Sequence, residues 1–144
     1  MSTKEAQDQI VKNMRKWQKI ENASVMSTSS VVDKTENPVI RLIMEVIQRD
    51  SHMHHRVQGM IADSLTQTPM TVTPEELSAV WDLIEKHAEI EKATIDLATS
   101  SLAAIEGVKS LTVQHYLLKY LLADEEKHDS LLANLEAIKK NIYP

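Results

Sequence analysis

No cysteine occurs in this chain, which excludes disulfides and thiolate metal sites and leaves any bound metal to oxygen and nitrogen ligands. Glycine is scarce, with two residues in 144, and proline appears four times. With so few breakers among many Ala, Leu, Ile, Glu and Lys residues the composition favours helix, and no Val/Ile/Tyr-rich alternation reads as a strand. No apolar run approaches a membrane span, and the opening MSTKEAQDQI is too polar for a signal peptide. A basic block is also missing, and a net charge of −5 argues against nucleic acid as a main partner. The chain is therefore expected to be soluble and cytoplasmic. With 42% hydrophobic residues, residues 1–144 are expected to form a single all-α domain around one core.

Four stretches carry apolar residues at alternating intervals of three and four, the inward stripe of a bundle helix. The first runs Ile10, Met14, Trp17, Glu21, Ser24, Thr28, Val31. The second runs Ile40, Met44, Ile47, Ser51, His54, Gln58, Ile61, Leu65. The third is Leu77, Trp81, Ile84, Ala88, Glu91, Ile95, Ala98, Leu102, and the fourth is Leu118, Leu121, Glu125, His128, Leu132, Leu135. Each stripe is interrupted near mid-length by polar groups. A buried carboxylate without a partner costs several kcal/mol or takes up a proton, so Glu125 and His128, one turn apart on a core stripe, call for either a bound metal or a hydrogen-bonded network.

Helix boundaries are written in the capping residues. The first helix begins near Ser2 or Thr3 and continues towards Val32. Asn37 caps the second with Pro38 at its first position, and Thr73 with Pro74, Glu75 and Glu76 opens the third. Gly107 is a natural stop, Ser110 a candidate cap for the fourth helix, and Lys139 and Lys140 suit its negative C-terminal end. At about 1.5 Å of rise per residue, Glu21 stands about 21 Å before the turn at Thr35, and Ser51 and His54 roughly 20–24 Å after Pro38. Glu91 lies about 22 Å before the break at Gly107, and Glu125 about 22 Å after Ser110. The two halves thus read as an imperfect repeat, Glu then S-x-x-H followed by Glu then E-x-x-H.

On these residues the chain resembles the ferritin-like superfamily, in particular its small rubrerythrin-like members. There one Glu from each of two helices and a Glu-x-x-His from each of the other two converge around two metal ions. The resemblance implies a four-helix bundle of long antiparallel hairpins with a crossover between helices 2 and 3. It implies metal ligation by Glu21, His54, Glu91, Glu125 and His128, and His87, four residues before Glu91, adds a candidate nitrogen ligand. The implied cofactor is one or two iron ions, with manganese or zinc as alternatives, and the implied function is a non-haem iron oxidoreductase handling oxygen, peroxide or iron. Chains of this superfamily often pair through a helix face, which makes a homodimer the expected partner state.

Ser51 departs from the pattern by standing where the second E-x-x-H would place a carboxylate, and Thr28 and Ala98 stand where relatives often carry Tyr. An asymmetric dinuclear site, a single-metal site and a degenerate site all remain open. So does a metal-free helical protein with a structural or partner-binding role. The crossover needs helix 2 to end early, at Gly59, so that Met60–Val72 can run the length of the bundle; a helix 2 reaching Leu65 would instead leave a plain up-down-up-down bundle with a short turn there. Asp124, Glu126 and Lys127 read as a solvated face, as do His52 and His55.

Overall fold

The computed structural model describes all of residues 1–144 and is all-helical. Four long helices, α1 (Thr3–Val32), α2 (Pro38–Thr66), α3 (Pro74–Ala104) and α4 (Thr112–Lys139), are joined by short connections, with a 3₁₀ turn at Lys109–Leu111 before the last. They form two compact units, Met1–Met70 and Thr71–Pro144, each an antiparallel helical hairpin. No helix is long and apolar enough to cross a membrane.

Most helix ends follow the capping signals. At α1 the Ser2 hydroxyl accepts from the Glu5 amide while the Glu5 carboxylate accepts from the Ser2 amide, and Thr73 and Glu76 build the same reciprocal pair at α3. Asn37 accepts from Val39 and Ile40 ahead of α2. Helix α4 ends in a Schellman turn: Ile142 N–H donates to Ala137 C=O, Asn141 N–H to Ile138 C=O, and Asn141 takes the left-handed conformation at φ 57°. Ser110 is not a cap. It lies inside the 3₁₀ turn, and α4 starts at Thr112 with no side chain bonded to its first amides.

Helix α2 does not stop at Gly59 but continues to Thr66. Gly59 serves packing instead: a Cβ there would meet Gln18 Nε2 of α1 at 2.9 Å. The absent side chain lets Gln18 reach across and donate to the His55 carbonyl at 3.0 Å. The stretch expected to cross the bundle is therefore mostly helical. Only residues 67–73 remain between α2 and α3, with a reach of about 25 Å against the roughly 46 Å length of α3.

In the first hairpin α1 meets α2 through Met14, Gln18, Glu21, Val25 and Thr28, set against Met44, Gln48, Ser51, Gln58 and Ala62. This seam is rotated from the expected one by about a residue, and Ile10, Trp17, Ile47, Ile61 and Leu65 lie on the exposed side. Two helices enclose only part of an apolar stripe that is more than 100° wide, so its far edge stays open. The second hairpin keeps the expected α3 stripe facing α4, with Leu77, Glu91 and Ala98 buried, and Lys139 lies over the Trp81 ring at 5.3 Å from its centroid.

Candidate metal centre

The two buried acids, Glu21 and Glu91, each sit on the inner face of a hairpin and differ in what surrounds them. Glu21 Oε1 accepts from Gln58 Nε2 at 3.2 Å and lies 3.2 Å from His54 Nδ1. Ser51 donates a hydrogen bond to the carboxylate, and its Oγ lies 2.9 Å from Ser24 Oγ. Burial pushes the Glu21 carboxyl up, but the Ser51 and Gln58 hydrogen bonds and the His54 imidazole more than offset it, so Glu21 titrates below the usual carboxylate range. In this hairpin the acid is satisfied by neutral donors and a half-exposed imidazole. The Gln58 carbonyl oxygen is buried without a donor.

The second hairpin gathers a different set. Oxygen atoms of Glu91 and Glu125 and a ring nitrogen of His128 all lie within 4.8 Å of one another. His128 Nδ1 stands 3.4 Å from Glu91 Oε2 and 3.4 Å from Glu125 Oε2. His87 Nε2 holds the other Glu91 oxygen, Oε1, at 2.8 Å. Glu91 Oε2 is buried, with the Glu125 carboxyl and His128 Nδ1 as its polar neighbours. Hydrogen bonding with Glu125 holds the Glu91 carboxyl below the usual range; His87 and His128 add to this, and burial opposes it. An i,i+4 contact from His87 thus turns Glu91 so that its other oxygen points at Glu125 and His128.

Asp124, read from the sequence as part of a solvated face with Glu126 and Lys127, pairs with Lys127 at the edge of this cluster. Its Oδ2 lies 3.6 Å from His128 Nε2, behind the ring and opposite the nitrogen that faces the two glutamates. Its other oxygen, Oδ1, pairs with Lys127 Nζ, and at 3.6 Å Oδ2 makes no hydrogen bond to the ring.

Of the six residues expected to hold metal, Glu91, Glu125, His128 and His87 come together in the second hairpin, and Glu21 and His54 meet in the first. In donor chemistry the second set fits a hard or borderline divalent cation: two carboxylates, one of them buried, and an imidazole. The first set, with Ser51 in place of a carboxylate, offers one anionic group already engaged by three neighbours. Comparison with protein-family profiles, curated proteins and solved structures finds no match to this chain.

Proposed function

We propose that this chain is a non-haem metal protein, with iron as its leading metal, whose ion is held between α3 and α4 by Glu91, Glu125 and His128. The observation that carries the reading is the buried Glu91 carboxylate, with a second carboxyl group and an imidazole nitrogen gathered within 4.8 Å. Two carboxylates at that separation repel one another unless a proton or a cation lies between them. A divalent cation satisfies the buried oxygen and both charges at once.

The chain's own residues have distinct tasks in this reading. Glu91 and Glu125 supply negative charge, and His128 supplies a ring nitrogen. His87 keeps Glu91 Oε1 occupied so that Oε2 is the ligating atom. Bound iron would supply redox chemistry towards dioxygen or peroxide, or would itself be the cargo. The ferritin-like resemblance favours that chemistry over a purely structural ion. A second reading, a metal-free helical partner-binding protein, draws on His87 and His128, which when protonated would neutralise Glu91 as an ion-paired network.

Metal analysis of the purified protein, with anaerobic Fe(II) and Mn(II) titration by calorimetry, decides between them. The expected result is about one ion per chain, with affinity reduced tenfold or more in Glu91→Gln, Glu125→Gln and His128→Ala and helical circular dichroism retained. Wild-type protein that stays helical and takes up neither ion would overturn the metal reading in favour of the network.

A further inference from the structure

Between the N-terminal half of α3 and the C-terminal half of α4 lies an open groove of about 370 Å³ that shares no residue with the metal cluster. Trp81 and Ile84 on α3 and Leu132 on α4 give it an apolar lining, and Glu85, Glu89 and Asp129 add carboxylates. All of these residues belong to the second hairpin. We propose that this groove binds a linear aliphatic polyamine, with its methylenes on the apolar lining and its ammonium groups on the carboxylates. The inference stands on its own residues and does not depend on the metal reading above.

Charge comes first in selecting that ligand class. Glu85, Glu89 and Asp129 make no ion pair or hydrogen bond within the chain. The fourth lining acid, Glu136, is paired with Lys140 at 3.0 Å, and Lys92 is the one basic residue in the lining. A cleft with low-dielectric walls and an excess of one charge concentrates counter-ions of the other. The spread of that charge then separates organic from inorganic cations. Glu85 and Glu89 stand about 6 Å apart along the helix axis, and the three acids do not converge as Glu91, Glu125 and His128 do. A metal ion needs oxygens gathered around one point and gains nothing from apolar walls. A chain that alternates ammonium groups with three or four methylenes uses both.

An independent observation is that the fold already seats an alkylammonium on this lining. Lys139 Nζ lies over the Trp81 ring, 5.3 Å from its centroid. The attraction of the ring face for a cation is strongest where water is partly excluded, as beside the apolar walls of a groove. Lys139 is thus an internal example of the contact that a polyamine would repeat, and a competitor for the same ring. The volume is that of a small-molecule site, with few polar groups set against apolar walls.

The test follows Trp81 emission during titration with spermidine at constant ionic strength, in a Trp17→Phe chain that leaves a single tryptophan. Calorimetry on the wild-type chain gives stoichiometry independently of that substitution. The expected result is a saturable change at about one spermidine per chain, with affinity about tenfold lower in Asp129→Asn and in the double variant Glu85→Gln, Glu89→Gln, helical circular dichroism being retained. Lys139→Gln should tighten binding by clearing the Trp81 face, while Lys140→Gln, with the same change in charge, should not. Displacement of spermidine by Mg(II) at equal charge concentration, or equal gains in the two lysine variants, would overturn the proposal by reducing it to a counter-ion atmosphere. Unchanged affinity in the acid variants would overturn it by placing the polyamine elsewhere, and so would the absence of saturable binding.

Discussion

Glu21 and Glu91 occupy equivalent places in the two hairpins, yet their neighbours assign them different work. At Glu21 the folded state holds the carboxylate with the Ser51 and Gln58 hydrogen bonds and His54, so its pKa lies lower folded than unfolded. The unfolded chain then binds more protons in acid. The stabilisation is fully present above the unfolded carboxylate pKa and is lost as pH falls through the lower folded value. Urea denaturation between pH 7 and pH 3 should show Glu21→Gln costing about 1 kcal/mol at neutral pH and losing part of the wild-type acid dependence. An unchanged slope below pH 5 would show that Glu21 is not held as described. The core position of both acids was legible because each interrupts an apolar stripe at helical spacing. Which acid has neutral partners was legible only through Ser51.

Helix starts could be read in advance because capping is local chemistry: Ser2 with Glu5, Asn37 before Pro38, and Thr73 with Glu76 each carry their donors and acceptors within four residues. Gly59 could not be read, since the reason for it is Gln18 on another helix. A glycine in mid-helix costs about 1 kcal/mol relative to alanine, and here the contact it permits is a single Gln18 bond to the His55 carbonyl. Gly59→Ala alone should therefore be nearly neutral in thermal unfolding, as the helix gain is offset by the displaced Gln18 tip. In a Gln18→Ala background the same change should stabilise by about 1 kcal/mol, and a double-mutant cycle reads the coupling. Strong destabilisation in both backgrounds would mean that the α1–α2 spacing itself depends on the glycine.

For the molecule as a whole, the apolar stripes are wider than either hairpin covers. The buried hydrophobic residues are Ala62, Leu77 and Ala98, only one of them large, while Trp17, Ile47, Leu83, Ile90 and Leu97 stay substantially exposed. Periodicity revealed that these faces are apolar but not what covers them, because a stripe looks the same whether it meets its own chain or another copy. Hairpins this open should draw much of their stability from association and from metal, and both contributions obey mass action. At a metal concentration of 100 Kd, binding to the folded state adds about 2.7 kcal/mol, and dimerisation makes Tm rise with protein concentration. Scanning calorimetry across a hundredfold range of chain concentration, with Mn(II) and then with excess chelator, should show Tm climbing with concentration and falling on chelation. Glu91→Gln should abolish the metal-dependent part, and Leu97→Glu should flatten the concentration dependence. A wild-type Tm independent of both variables would mean that the exposed leucines are not an association surface and that the Glu91, Glu125 and His128 cluster is sustained by protons and imidazoles alone.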